Sequence, residues 1–169
     1  NQKPTLLLID GHSLAFRAFY ALSPDSFKTP DGQHTNAVHG FISMLLNILG
    51  AEKPTHLAVA FDLSRSSFRT EDYPEYKGTR GETPPEFNGQ TELLREALNA
   101  MNIKTITREN YEADDILASL ADQSGAKGFN VFVVSGDRDT FQLISESTTI
   151  LYPVKGVLNL DRKSTRLNS

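Results

Sequence analysis

Short apolar runs alternate along the chain with longer stretches in which apolar residues recur every three or four positions. The runs are typical of strands buried on both faces of a parallel sheet, and the wider spacing is typical of amphipathic helices. The runs predict strands at residues 5–10, 57–61, 104–107, 131–135 and 149–152. The spacing predicts helices at residues 14–21, 37–49, 87–101, 112–124 and 140–144. This alternation indicates an α/β domain with a mainly parallel central sheet and helices on both faces.

Two residues give the expected ends of helices. Ser13 is the predicted N-cap of the first helix, because a serine hydroxyl can accept a hydrogen bond from a backbone N–H of the first turn. Gly50 is the predicted end of the second helix, since glycine commonly follows the last helical turn.

Composition then limits the class of protein. The 169 residues fit one domain, 38% of them are hydrophobic, and cysteine is absent. Disulfides, thiolate catalysis and thiolate metal ligation are therefore excluded. The apolar runs are strand-sized and no signal-peptide pattern precedes them, so we expect a cytoplasmic protein that has no membrane segment. The net charge of −4 argues mildly against a nucleic-acid binder, unless the acids gather on bound cations.

The last nine residues, 161–169, differ from what precedes them. They show no apolar periodicity and resemble the translation of a common sequencing-library adapter. We interpret them as a non-native tail on a domain at residues 1–160, and they are left out of the fold prediction. A native basic tail is the alternative. A non-native tail implies that the natural domain continues beyond residue 160.

Acidic residues recur where the predicted strands end and where one helix begins. Because the carboxyl ends of parallel strands lie at one edge of a sheet, these side chains are expected to converge there. Seven carboxylates belong to the set: Asp10, Asp62, Glu112, Asp114, Asp115, Asp137 and Asp139. Any one of them alone could instead be a turn former or a helix cap.

So many like charges in a small volume require a positive partner. Oxygen ligands favour Mg²⁺ or Mn²⁺ over zinc, and His12 and His34 are not assigned as ligands because an all-carboxylate site does not need them. Two such ions about 4 Å apart are the usual arrangement for in-line attack of water on a phosphodiester. The acids therefore predict a two-ion site for phosphodiester hydrolysis.

Six short motifs carry a resemblance to a known family. In order they are LLIDGHSLAFR (7–17), AFD (60–62), SFR (67–69), YPEYK (73–77), YEADD (111–115) and GDRD (136–139). Together they resemble the 5′-nuclease domain (5′-3′ exonuclease and flap endonuclease) of bacterial DNA polymerase I, over residues 5–158. The resemblance implies a PIN-like nuclease core.

The resemblance also implies a role for each acid. Four of them would hold the first metal ion and a fifth would lie close to it: Asp10, Asp62, Glu112, Asp114 and Asp115. Asp137 and Asp139 would lean toward the second ion. The family completes that second site with two later aspartates, and it grips duplex DNA with a later helix-hairpin-helix element. Neither feature lies in this sequence, so the second site and the duplex grip are expected to be incomplete in this chain.

Residues 63–86 form a polar, basic insertion, which in the family is an arch over a single-stranded 5′ flap. Lys77 and Arg80 lie three residues apart, so they would share one face of a helical turn. They are predicted to stabilise the charge that develops on the scissile phosphate. Tyr73 and Tyr76 are predicted to stack on unpaired bases. Acidic residues are interspersed, so an ordinary solvated surface is the alternative.

Three further residues are predicted to contact DNA. The resemblance implies that Phe16 stacks on the base next to the cut and that Arg17 contacts phosphate. Phe16 occupies an apolar helical position, so core packing is the alternative. Arg17 and Arg69 are predicted phosphate contacts, because arginine is rarely buried without a partner.

The predicted function is that of a divalent-metal-dependent, structure-specific 5′-nuclease that hydrolyses DNA in replication and repair. The expected partner is DNA with a 5′ flap or 5′ end, bound by a monomer. The parent protein could be fused to a polymerase or stand alone. Two alternatives remain: a PIN-type ribonuclease, and a catalytically incomplete DNA-binding fragment.

Overall fold

A computed structural model describes residues 3–61, 84–107, 112–155 and 159–164. Six strands in this part of the chain form one sheet with the order β3-β2-β1-β4-β5-β6. Strands β1 to β5 run parallel to one another, and β6 runs antiparallel to β5. The strands are β1 Thr5–Asp10, β2 His56–Ala60, β3 Lys104–Ile106, β4 Asn130–Val134, β5 Thr148–Lys155 and β6 Asn159–Lys163. The predicted mainly parallel sheet is confirmed.

Helices cover both faces of the sheet, as predicted. Among the described residues the helices are α1 Gly11–Ala21, α2 Asn36–Glu52, α3 Gln90–Ala100 and α4 Ala113–Ala126. The same ranges contain the 3-10 turns Pro24–Ser26, Pro85–Phe87 and Arg138–Leu143. Side chains of α1, α2 and α3 pack with Leu7 and Ile9 on one face, and α4 packs with Leu8 on the other. This split follows from the period of two in a strand, which sends successive side chains of β1 to opposite faces.

The order of the strands creates a crevice at the centre of the sheet. From β1 the chain builds outward to β2 and β3 on one side, and then returns to build β4 and β5 on the other. Such a reversal of direction is where ligands bind in open parallel sheets, at the carboxyl ends of the strands. Asp10 ends β1 at this point, and Ser135 follows β4.

Two glycines allow helix α1 to pack tightly. A Cβ atom on Gly11 would lie 2.6 Å from the Phe61 ring, and one on Gly40 would lie 2.7 Å from the Cβ of Ala18. Distances this short are not tolerated in a packed core. Glycine at both positions therefore lets α1 begin directly at the sheet edge and approach α2 closely.

A buried polar network fixes the helices on this face. Gln90, which is 1% exposed, accepts from the Ala37 backbone N–H at 2.7 Å and donates to the Asn36 side chain at 2.8 Å. Asn36 in turn donates to the backbone oxygens of Phe19 and Leu22 at 2.8 and 2.9 Å. The network satisfies buried groups that would otherwise be costly, and it joins the end of α1 to the starts of α2 and α3.

Both predicted helix ends are wrong. The N-cap of α1 is Asp10, whose side chain accepts from the Ser13 backbone N–H, so the helix begins at Gly11. The carboxylate at the end of β1 already caps the first turn, and the Ser13 hydroxyl is used elsewhere. Helix α2 passes through Gly50 and ends at Glu52, where Lys53 adopts a left-handed conformation with φ 49° and donates to the Leu49 oxygen. A Cβ atom on Gly50 would have no other atom within 4 Å, so no contact with a neighbouring element ends the helix at this residue.

The C-terminal part of the described chain also differs from the prediction. The segment predicted as a helix at residues 140–144 is the 3-10 turn Arg138–Leu143, and β5 is longer than predicted. Residues 161–163, left out of the fold prediction, belong to β6, and Arg162 forms a salt bridge of 2.6 Å with Glu52. The non-native origin of residues 161–169 stays a prediction.

Several predicted features lie outside the described residues. They include residues 63–83 of the predicted arch and six predicted site residues: Asp62, Arg69, Tyr73, Tyr76, Lys77 and Arg80. Within the described ranges, no helix combines the length and apolar character needed to span a membrane.

Candidate metal centre

Asp10 is held rigidly at the end of the central strand. It is only 5% exposed, and its backbone is paired in register with Ala60 of β2. One carboxylate oxygen accepts from the Ser13 N–H at 3.2 Å, and the other accepts from the Ser135 hydroxyl at 3.2 Å. A carboxylate at the N-terminus of α1 is favoured by the exposed N–H groups and by the helix dipole. The local fold therefore presents a negative group at the crevice.

Ser135 joins Asp10 to the loop after β4. The serine is fully buried, and its hydroxyl oxygen also accepts from the Asp137 N–H at 3.1 Å. Ser13 makes a second link across the crevice, because its hydroxyl accepts from the Gly136 N–H at 2.8 Å. These hydrogen bonds fix the start of α1 and the loop after β4 relative to each other.

Asp137 directs the turn that follows. Its side chain accepts from the Asp139 N–H at 2.9 Å, and its backbone oxygen accepts from the Thr140 hydroxyl at 2.6 Å. This is a side-chain cap for the 3-10 turn Arg138–Leu143. We refer to Asp10 and Asp137 as the switch-point pair, since both hydrogen-bond to Ser135 at the reversal of strand order.

A second set of carboxylates surrounds the N-terminus of α4. Glu112 is the N-cap of this helix and forms a capping box with Asp115, whose side chain accepts from the Glu112 N–H at 3.2 Å. Asp114 lies half-buried between them in the first turn, and Asp115 is exposed. The dipole of α4 favours negative side chains here, which explains why three acids are tolerated in four residues.

These acids line an open cleft of about 630 Å³. Asp139 reaches the cleft from the 3-10 turn, and Arg138 and Gln142 complete the described part of its wall. We call Glu112, Asp114, Asp115 and Asp139 the cleft group. Asp137 and Asp139 are two residues apart, yet one caps the turn and the other faces the cleft.

Six of the seven predicted carboxylates lie in the described residues, and they form two sets at the carboxyl ends of the strands. Within the described ranges, no three acidic or histidine side chains are close enough together to hold one metal ion. Asp62 lies outside those ranges. The donor chemistry still fits a hard divalent cation, because both sets offer carboxylate oxygens. The metal roles of the seven acids stay a prediction.

The structure places Arg17 against a neighbouring strand. Its guanidinium donates to the Pro153 oxygen at 2.8 Å, and it lies 5.5 Å from the centre of the Tyr152 ring. These contacts join α1 to β5 beside the crevice. The predicted phosphate contact of Arg17 is untested, and part of its hydrogen-bonding capacity is already used within the protein.

Phe16 lies in an aromatic cluster on the α1 side of the sheet. It is partly buried and stacks on Phe87, with ring centres 4.7 Å apart and planes inclined by 12°. His12 meets it edge-on at 4.8 Å, and the exposed Tyr20 lies 6.3 Å away. This placement agrees with core packing, the alternative weighed from the sequence. Base stacking by Phe16 stays a prediction.

Sequence reasoning missed the residues that support the carboxylates. Ser13, Ser135, Arg138, Gln142 and Tyr152 were given no role at the site, although the first two bridge the crevice. The sequence signal that could have found Ser135 is its position between a buried strand and the GDRD motif. A small hydroxyl residue there often bonds to the backbone two residues on.

Solved structures share this fold. The T5 5′-exonuclease with bound divalent metal ions (zinc) matches at a TM-score of 0.60 and 25% identity, covering 88% of this chain and 55% of that one. The catalytic core of Rad2, in complex with a DNA substrate, matches in fold at a TM-score of 0.55 and 14% identity, covering 97% of this chain and 48% of that one. The mainly parallel sheet with its carboxylate edge is thus a PIN-like 5′-nuclease core.

The family follows from the sequence comparison. Residues 5–167 match the 5′-3′ exonuclease, N-terminal resolvase-like domain, and the chain belongs to this family. DNA polymerase I of Mycobacterium tuberculosis is 54% identical over 160 residues, and that of Bacillus caldotenax is 49% identical over 159 residues. These alignments cover 95% and 94% of this chain but only 18% of each relative. The chain spans about a fifth of the length of the curated relatives that it matches.

Proposed function

We propose that this chain is the N-terminal nuclease part of a protein that hydrolyses DNA phosphodiesters at 5′ single-stranded flaps and 5′ ends. One observation carries the proposal: carboxylates from β1, from the loop after β4 and from the start of α4 lie in two sets at the carboxyl ends of the strands of a 5′-nuclease fold. Family membership supports the same reaction class.

The acids would hold Mg²⁺ or Mn²⁺, in two adjacent sites. Asp10, Glu112 and Asp114 would serve the first ion with Asp62, and Asp137 and Asp139 would serve the second. When bound, such ions supply Lewis-acid stabilisation of the phosphoryl oxygens and favour attack by water. A T5 5′-exonuclease structure with divalent metal ions supports the dependence on a metal, and the carboxylate donor set supports a hard cation.

The residues of the chain itself have separate tasks. Ser13 and Ser135 join the start of α1 to the loop after β4, and Ser135 links the Asp10 carboxylate to the Asp137 backbone. The start of α4 provides a backbone dipole that stabilises the acids of its first turn. Rigid placement of this kind lowers the entropic cost of assembling a reacting geometry.

The arch residues complete the proposal. Lys77 and Arg80 would stabilise the developing phosphate charge, and Arg69, Tyr73 and Tyr76 would contact the flap. They lie outside the described residues, and their support is the match of the family over the whole segment.

The setting of the reaction is also part of the proposal. Relatives named DNA polymerase I support a parent protein that carries a polymerase and acts in replication and repair in the cytoplasm. We propose that the nuclease part acts as a monomer on its DNA substrate.

A cleavage assay tests the proposed function. The full chain is incubated with a 5′-labelled flap DNA and with Mg²⁺, Mn²⁺ or EDTA, beside a single-stranded RNA of matched length. We expect release of the flap that depends on a metal and is lost in Asp114→Asn. Cleavage of RNA without cleavage of DNA would point instead to a PIN-type ribonuclease. Metal and DNA binding without cleavage would mean that this chain is an incomplete nuclease fragment.

A further inference from the structure

Arg138 is a cation placed among acids. It is exposed at the start of the 3-10 turn Arg138–Leu143 and lines the same cleft as the four carboxylates of the cleft group. Within the described part of the chain it nevertheless forms no salt bridge with any of them. An arginine that is not neutralised by a carboxylate keeps its guanidinium donors available for another anion.

An aromatic ring positions this guanidinium. The Cζ atom of Arg138 lies 5.8 Å from the centre of the Tyr152 ring, within the range of a cation–π contact. The ring is itself fixed, because Phe141 meets it edge-on at 5.2 Å. Tyr152 belongs to β5, which is a rigid element of the sheet.

Arg17 contacts the same ring, but its guanidinium also has a hydrogen-bond partner within the protein. Its guanidinium lies 5.5 Å from the centre of the Tyr152 ring and also donates to the Pro153 oxygen. Two guanidinium groups at one ring repel each other, and an anion near both would lower that repulsion. Arg138 is the exposed member of the two and is the one that reaches the cleft.

We propose that Arg138 binds a backbone phosphate of the nucleic acid at the edge of the cleft, and that Tyr152 is its positioning residue. The planar guanidinium matches two phosphate oxygens at once, which an ammonium group cannot do. This inference rests on the proposed function, since it concerns how the same substrate is held. Cations bound by the cleft group would reduce the repulsion between its carboxylates and the phosphate.

Binding of flap DNA by the full chain tests the proposal without requiring turnover. Affinity is measured by fluorescence anisotropy in Ca²⁺, from roughly 50 to 200 mM salt, because the slope of log affinity against log salt counts the phosphates neutralised. Arg138→Gln should weaken binding on the order of tenfold. It should also reduce the salt slope by about 0.9, the contribution of one phosphate. Arg138→Lys should keep the slope and lose part of the affinity.

Variants of Tyr152 test its positioning role. Tyr152→Phe keeps the aromatic face and should bind DNA as the wild type does. Tyr152→Leu removes that face and should weaken binding, by less than Arg138→Gln does. The matched control is Arg162→Gln: Arg162 also lies over a ring, that of Phe132 at 5.2 Å, but it is neutralised by Glu52. This control should not change the slope. Circular dichroism checks that each variant is folded.

Two binding results would overturn the proposal: one concerns Arg138 alone, and the other concerns the proposed function as well. If the wild type binds flap DNA with a salt-dependent affinity and Arg138→Gln binds identically, the role of Arg138 is wrong and the proposed function stands. If the wild type shows no salt-dependent binding to flap DNA, both are wrong. Should Arg138→Gln fail to fold, an affinity of Arg138→Lys equal to that of the wild type would overturn bidentate recognition.

Discussion

The switch-point pair and the cleft group are both carboxylate sets at one edge of the sheet, but they are held in different ways. Asp10 is buried and hydrogen-bonded to Ser13 and Ser135, and Asp137 caps the turn that follows β4. The cleft group lines an open volume of about 630 Å³, and its member Asp115 is tied only to the start of its own helix.

The difference separates two tasks that a metal centre must combine. Acids that are hydrogen-bonded within the fold keep a fixed geometry whether or not a cation is present, while an exposed acid such as Asp139 can adjust around one. A change that removes a hydrogen-bonding oxygen of the switch-point pair should therefore affect both stability and activity, while a change that removes only the charge should affect activity. A change at Asp139 of the cleft group should affect ligand binding with little effect on the fold.

The largest effect is expected for Asp10→Asn. Asparagine is also a good N-cap, so α1 should keep its cap and the free energy of unfolding should change little. Loss of the charge should reduce metal-dependent flap cleavage by more than the roughly 10–100-fold that loss of a residue beside a metal ligand costs. Cleavage and thermal unfolding are measured together, with the exposed and distant Asp31→Asn as the control. Wild-type cleavage by Asp10→Asn would remove Asp10 from the site.

A smaller effect is expected for Ser135→Ala. Removing the hydroxyl deprives the Asp137 N–H of its acceptor and should cost about 1–3 kcal/mol of unfolding free energy. Cleavage should fall by roughly 10–100-fold, because the switch-point pair loses its link. Ser145→Ala is the matched control: its exposed hydroxyl also accepts from a backbone N–H two residues on, that of Ser147. Equal losses of stability in the two variants would argue against a special role for Ser135.

The neighbouring aspartates of the GDRD motif give a direct test of the comparison. Asp137→Ala removes the side-chain cap of the 3-10 turn and should cost about 1 kcal/mol in chemical denaturation without metal. Asp139→Ala removes an exposed charge from the cleft group and should stay within about 0.5 kcal/mol of the wild type. A larger loss of stability in Asp139→Ala than in Asp137→Ala would mean that the two aspartates are assigned to the wrong sets.

The smallest effect concerns Asp31, a carboxylate outside both sets. A hydrogen bond from the Thr29 hydroxyl is the main cause that lowers the pKa of this fully exposed side chain. Because the folded-state pKa lies below the unfolded value, the contribution to stability is present above the unfolded pKa and is lost as pH falls through the folded pKa. Thr29→Val should move the pKa of Asp31 back up, as followed by NMR titration. An unchanged titration would mean that the hydroxyl is not the cause.

Sequence patterns predicted the sheet well because buried strands have few alternatives. The apolar side chains of the runs at Leu7–Ile9 and Val131–Val134 are removed from water only if helices cover both faces of the sheet. Helix ends were predicted poorly, since competing caps lie side by side: Asp10 and Ser13 both offer oxygen acceptors, and only the end of β1 decides between them.

For the candidate site, the sequence predicted acids at the ends of β1 and β4 and at the start of α4, where the structure has them, but it did not predict how they group. Asp137 and Asp139 lie two residues apart in the sequence. In the structure the Asp137 side chain caps the 3-10 turn, while Asp139 lines the cleft. The hydroxyl of Ser135 and the contact of Arg138 with Tyr152 join positions that are distant in sequence or carry no motif of their own. Such contacts follow from the register of the strands and could not be predicted from the sequence.

Calorimetric titration of Mn²⁺ into the full chain tests most directly whether the two sets form one metal centre. The wild type is compared with Asp10→Asn, Asp139→Asn and the double variant. If both sets serve one centre, each single change weakens binding, and the double change departs from additivity by about 0.5–3 kcal/mol, as coupled residues do. Additive losses within about 0.5 kcal/mol, or a single change that leaves binding intact, would show that the sets act independently and would contradict the account.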